Sequence, residues 1–225
     1  MITVIDYGAG NLRSVENALK FLEVPYQITS QASDVAAARA ILLPGVGHFG
    51  QMMRSLQVLD LVGVLRQAIR AGVPYMGICL GMQALFERSE EATAYEGLGI
   101  FQGAIRRFPE GMPHSFKVPH MGWNQLQIAP RSRLFEGIGA APFVYFAHSY
   151  YLPAESGDGE NGTLAAATCD YGKPFVAAIE RDRVFGTQFH PEKSGEPGLR
   201  VVANFATLCG EKAAGAALRG GGGAG

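Results

Sequence analysis

Apolar positions in the first ~85 residues keep two rhythms, short unbroken runs and spacings of three or four. Ile2–Ile5 is a run suited to a buried strand, and it ends at Asp6-Tyr7-Gly8-Ala9-Gly10, a flexible turn. Leu12, Val15, Leu19 and Leu22 then recur at helical spacing, with Asn11 or Ser14 available as a cap. Strands are predicted at Tyr26–Thr29 and at residues 40–43, the latter stopped by Pro44-Gly45-Val46-Gly47. A helix over residues 59–71 leads through Gly72-Val73-Pro74 into a fourth strand at residues 75–78. Strands alternating with helices predict a parallel sheet.

After Gly97 the texture changes. Residues 105–108, 126–128, 143–146 and 164–167 read as strands between Gly/Pro turns. Residues 175–179 and 183–189 read as a hairpin through Glu180-Arg181-Asp182, and a last helix is predicted over residues 197–208. Residues 213–225 are rich in Ala and Gly and have too little apolar surface to offset chain entropy. With no internal repeat, the expected organisation is one domain over residues 1–209 and a flexible tail over 210–225.

Composition narrows the class. The chain has 225 residues, 48% of them apolar, and a formal net charge of −1, which suits one α/β domain and argues against a nucleic-acid binder. No apolar stretch approaches the ~20 residues of a membrane span, and the N-terminus reads as a strand without a signal peptide's basic region. Three cysteines, Cys79, Cys169 and Cys209, are an odd number without framework spacing, so their interest lies in reactivity within a reducing compartment. The expectation is a cytoplasmic protein.

Candidate chemistry begins at Gly77-Ile78-Cys79-Leu80-Gly81, between the fourth strand and a helix. A lone cysteine after a strand is most often a small buried hydrophobe. The flanking glycines favour a strained nucleophile elbow instead. A helix N-terminus there would favour thiolate, and the Leu80 N–H would face an oxyanion. Far downstream, Gly186-Thr187-Gln188-Phe189-His190-Pro191-Glu192 supplies an imidazole and a carboxylate two residues apart at a strand end. If both strands belong to one parallel sheet, Cys79 and His190 share its carboxyl edge, where open α/β folds bind ligands. A thiol, an imidazole and an orienting carboxylate follow the general logic of a catalytic triad. Pro44-Gly45-Val46-Gly47 reads plainly as a turn, and more sharply as a backbone donor segment whose glycines permit a peptide flip. The histidines lack zinc-like spacing, and Gly8-x-Gly10 lacks the third glycine of a dinucleotide fingerprint, so no metal or cofactor is expected.

With these motifs the chain closely resembles the class I (triad) glutamine amidotransferases. Gly77 to Gln83 is similar to their nucleophile elbow and Gly186 to Glu192 to their His/Glu signature. The likeness narrows to the glutaminase subunits of imidazole glycerol phosphate synthases, carried by Ile5 to Leu12, Leu43 to Phe49, Val118 to Asn124 and His148-Ser149-Tyr150. It implies a flavodoxin-like, doubly wound, mostly parallel sheet with helices on both faces and extra antiparallel strands. It implies L-glutamine as substrate, Cys79 as nucleophile, His190 as acid and base, and Glu192 as the group holding its tautomer. Leu80 and a donor from Gly45, Val46 or Gly47 would meet the oxyanion, while Gln83, Ser149 and Tyr150 would hold the amino-acid end. The ammonia would pass to a separate (β/α)8-barrel cyclase in histidine biosynthesis, with Asn11, Trp123, Tyr145 and Lys193 at or near the interface. For Trp123 the plainer alternative is a core aromatic, and for Lys193 a solvated charge. The family also implies low activity until the cyclase binds its ligand, with Pro44 to Gly47 as the two-state element. Glutaminases of anthranilate, GMP, carbamoyl-phosphate or pyridoxal-phosphate synthesis are the nearest alternatives. A stand-alone cysteine hydrolase and a non-catalytic binding module are the more distant ones.

Overall fold

The computed structural model describes residues 1–8, 12–109, 116–159 and 162–213. Its strands are β1 (Ile2–Ile5), β2 (Tyr26–Thr29), β3 (Ile41–Gly45), β4 (Tyr75–Cys79), β5 (Phe86–Ser89), β6 (Phe101–Arg107), β7 (His120–Gln125) and β8 (Gln127–Ile128). They continue as β9 (Phe143–His148), β10 (Tyr150–Pro153), β11 (Asp158–Gly159), β12 (Gly162–Thr163), β13 (Ala165–Asp170), β14 (Pro174–Arg181) and β15 (Val184–Thr187). Helices α1 (Leu12–Phe21), α2 (Ala32–Ala36), α3 (Phe49–Val58), α4 (Leu61–Arg70), α5 (Leu80–Gln83) and α6 (Gly195–Leu208) connect them.

The main sheet runs β2-β1-β3-β4-β15-β14-β10-β6-β5. Its first five strands are parallel, and β14 returns antiparallel to β15 as the expected hairpin. That is the doubly wound order, with antiparallel strands added at one edge. Helices cover both faces, so the inner strands are apolar at nearly every position rather than alternating. Every residue of β1, β3, β4 and β15 is buried. Successive side chains still point to opposite faces. Leu42, Met76 and Phe185 pack with Val15, Leu19, Val201 and Phe205 of α1 and α6. Ile41, Leu43 and Tyr75 pack with Met53, Leu56, Leu65 and Ile69 of α3 and α4. Each such burial contributes about 1.5–3 kcal/mol.

Three local differences from the sequence reading have physical causes. Residues 49–70 form two helices, not one over 59–71, because Asp60 takes a left-handed conformation (φ 56°) and separates α3 from α4. The start of α3 is fixed by His48, whose Nδ1 accepts from the Gly50 N–H (3.1 Å), and by Glu91, which accepts from the Phe49 N–H (2.8 Å). Strand β3 is not stopped at Pro44: it continues to Gly45, in register with Cys79, since a proline near a strand end removes only one donor. Lastly, residues 120–125 are a strand, β7, paired antiparallel with β9 in a separate two-stranded ribbon. Of the strand expected at residues 126–128, only the short β8 forms. Asn11 and residues 214–225 of the expected tail lie outside the described residues. No helix among the described residues is long and apolar enough to cross a membrane.

Candidate active site

Strand β4 ends on Cys79, which has φ 53° and ψ −106°, a conformation costly for any residue with a Cβ. Close packing enforces the turn. A Cβ on Gly81 would lie 1.9 Å from the Leu43 carbonyl oxygen, and one on Gly77 would lie 2.2 Å from the Gly81 oxygen. The buried Tyr75 hydroxyl donates to that same Gly81 oxygen (2.8 Å). The thiol is therefore held up from the sheet edge, as an elbow requires. The helix that follows, α5, is only four residues long. One turn carries little macrodipole, so the sequence expectation of a helix favouring the thiolate needs other help.

Strand β15 lies parallel beside β4, with Thr187 opposite Ile78, so the chain leaving it emerges at the same edge as Cys79. His190 is pinned by its backbone: its N–H donates to Tyr145 O (2.9 Å), and its carbonyl accepts from Ser194 Oγ (2.6 Å). Ser194 Oγ also accepts from the Tyr145 N–H (2.9 Å), joining this segment to β9. Pro191 opens a single 3-10 turn that folds Glu192 back, and Glu192 Oε1 sits 2.8 Å from His190 Nδ1 with both side chains 3% exposed. The carboxylate can only accept, so Nδ1 carries a proton and Nε2 is left for the thiol. Burial pulls the imidazole pKa down, but hydrogen bonding to Cys79 and Glu192 and their negative charge outweigh it and raise it to about 10. The upward shift favours the imidazolium while the Cys79 sulfur carries a charge. Cys169 and Cys209 are different: burial pushes both thiols up to about 12, which leaves them inert.

Cys79 and His190 line a cavity of about 230 Å³ together with Val46, Gly47, Leu80, Gln83, Glu91, Ala147, His148, Ser149, Tyr150 and Lys193. Most of the sequence candidates therefore meet in one place. Gly45 is not on this lining: it lies within β3, and a Cβ there would approach Leu80 Cβ to 2.5 Å. Val46 also lines a second cavity of about 720 Å³, shared with Tyr7 and His48. Trp123 and Tyr145 lie across from each other on the β7–β9 ribbon, ring centroids 6.2 Å apart, and Lys193 Nζ is 5.8 Å from the Tyr145 ring. Trp123 is 56% exposed, which rules out the core alternative, and Met121 and Phe143 are exposed beside it.

Sequence reasoning assigned no role to four residues that the structure brings to the site. Glu91 lines the cavity. His148 lines it too, and its Nδ1 lies 2.8 Å from Tyr150 O and its Nε2 3.2 Å from His120 Nδ1. Burial pushes His148 down to about 3 and His120 to about 4, so both are neutral. The fourth, Gln188, is fully buried, with Nε2 3.5 Å from Cys79 Sγ. It was visible in the sequence as the third residue of the His/Glu segment, but nothing in one sequence aims a side chain.

Comparison with known proteins identifies the family. Residues 3–208 match the family model of the class-I glutamine amidotransferases. The chain belongs to that family. It is 44% identical to the "Imidazole glycerol phosphate synthase subunit HisH" of Desulfitobacterium hafniense, over 95% of this chain and 97% of that one. It is 43% identical to the protein of the same name from Salinibacter ruber (92% and 94%) and 44% identical to that of Bacillus cereus (91% and 93%). Among solved structures, a glutamine amidotransferase superposes with a TM-score of 0.72 at 18% identity, covering 93% of this chain and all of that one. A putative GMP synthase subunit from Thermoplasma acidophilum gives 0.65 at 21% identity, covering 93% of each. At such identities these two establish the fold alone.

Proposed function

We propose that this chain is the glutaminase subunit of an imidazole glycerol phosphate synthase, releasing ammonia from L-glutamine at Cys79. The observation that carries the site is the buried His190–Glu192 pair, aimed at a thiol on a strained elbow in the same small cavity. In this reading the Cys79 sulfur adds to the side-chain amide carbon, and the resulting oxyanion is met by Leu80 N–H and a donor from Val46–Gly47. The tetrahedral adduct collapses to a thioester as the His190 imidazolium gives its proton to the departing nitrogen, releasing ammonia. The neutral imidazole then takes a proton from water as the water oxygen attacks the thioester. Glutamate leaves, the thiolate is restored, and His190 is again charged. Glu192 keeps the same ring nitrogen protonated throughout.

The partner is a separate cyclase subunit with a (β/α)8 barrel, forming a heterodimer that takes up the ammonia. Trp123, Tyr145, Lys193, Met121 and Phe143 supply the docking face. An exposed group of large apolar side chains beside an active-site mouth is what such an interface needs. Val46 and Gly47 form the two-state element, and the position of Val46 on the walls of both cavities supports this. A glutamine-analogue electrophile tests the reading. With cyclase and its nucleotide ligand present, the adduct should map to Cys79; labelling elsewhere, or none, would count against it.

A further inference from the structure

The hydrogen bonds around Cys79 determine the orientation of two buried amides. Gln83 Nε2 lies 3.0 Å from Tyr150 O and 2.9 Å from Gln188 Oε1. A backbone carbonyl can only accept, so the Gln83 atom facing it must be the NH2 group. That group spends its second proton on Gln188, so the Gln188 atom opposite must be the carbonyl oxygen. The Gln188 NH2 group is then left facing Cys79 Sγ at 3.5 Å. No solvent reaches this end: Gln83 is 1% exposed, Gln188 0% and Cys79 5%. Tyr150 O is itself held by His148 Nδ1–H, which fixes the direction of the whole chain from its far end.

We propose that Gln188 is a further catalytic residue of the glutaminase reaction, its Nε2–H donating to the Cys79 sulfur while it is anionic. This rests on the reading of Cys79 as nucleophile. The one-turn helix α5 supplies little dipole, so the Gln188 donor adds to the stabilisation that the His190 imidazolium gives the anion. A hydrogen bond to a charged acceptor in a water-excluded site is about twice as strong as a neutral one. No proton is transferred by Gln188. It holds the attacking sulfur and the departing thiolate of the second half-reaction, while His190 does the proton transfers. The Oε1 of Gln83, which has no hydrogen-bond partner among the described residues, is left to accept from bound substrate.

The test uses the complete two-subunit enzyme with Gln188→Met and Gln188→Glu. Methionine keeps the length and removes both polar ends. Glutamate keeps an acceptor for Gln83 and, buried beside a sulfur anion where its carboxyl stays protonated, still offers an O–H donor. Methionine should lower kcat for glutamine by 10- to 100-fold with KM changed less than threefold. It should also slow iodoacetamide alkylation of Cys79 at pH 7 about tenfold, and glutamate should recover part of both losses. Ammonium-dependent synthesis should stay at the parent value in both variants, which separates lost chemistry from lost fold or docking. If the methionine variant alkylates and turns over within twofold of the parent, or if glutamate is as slow as methionine in both assays, the proposal is wrong. Cys79→Ala run alongside separates the two levels: residual glutaminase activity there would overturn the nucleophile reading itself.

Discussion

Cys79 sits at the last position of β4, in a backbone conformation that only tight packing can maintain. Its flanking glycines were legible in the sequence as an elbow because the need for small neighbours is a local rule. The direction of Gln188 was not, because it depends on a hydrogen-bond sequence reaching through Gln83 to Tyr150. The raised pKa of His190 follows from two partners, one two residues away and one 111 positions up the chain, and only the first could be read locally. Its sign has a consequence for stability. A histidine raised in the folded state contributes stability fully present below its ordinary value of 6.5, lost only as pH climbs through about 10. His120 and His148 work in the opposite sense. Being depressed, they contribute stability present above 6.5 and lost as pH falls toward their folded values of about 4 and about 3. Acidification from pH 7 to pH 4 should therefore cost about 3 kcal/mol from each of these two residues, about 6 kcal/mol from the pair, beyond the carboxylate contribution. Denaturant melts of the parent against His148→Asn measure it: the variant, which keeps a donor toward Tyr150 O, should show a flatter pH dependence.

Among the elements, β4 and β15 were readable as short apolar runs, and their adjacency followed from the expectation of a parallel sheet. Helix α3 and strand β7 were not. The apolar stripe of α3 begins directly after a Pro/Gly stretch whose turn signal dominates, and its boundary with α4 depends on one left-handed residue, Asp60. Strand β7 has no core of its own and exists through its pairing with β9. The segment after β3 is the element with most bearing on activity. Gly47 has φ 96°, a conformation that a residue with a Cβ rarely adopts, so the peptide beside it is one that glycine leaves free to turn. Val46→Pro removes the N–H proposed to complete the oxyanion site. Ligand-stimulated glutaminase activity should fall by about 10²–10³, measured as glutamate release with the cyclase saturated. Full retained stimulation would exclude Val46 as the donor.

On the scale of the molecule, a doubly wound sheet presents its carboxyl edge as a shelf, and the ribbon β7–β9 stands beside it. The ribbon bears the exposed Trp123 on its surface, and its Tyr145 backbone holds His190 and Ser194 in place. One element thus touches both the proposed docking face and the proposed acid–base pair, which gives a partner a direct mechanical route to the site. The central claim is that Cys79 makes ammonia for a second subunit and does nothing else in the overall reaction. The most direct measurement compares glutamine-dependent and ammonium-dependent synthesis by the Cys79→Ala variant assembled with the cyclase. Glutamine-dependent synthesis should disappear while the ammonium-dependent rate stays within about twofold of the parent. Survival of the glutamine-dependent reaction, or loss of both, would contradict the account.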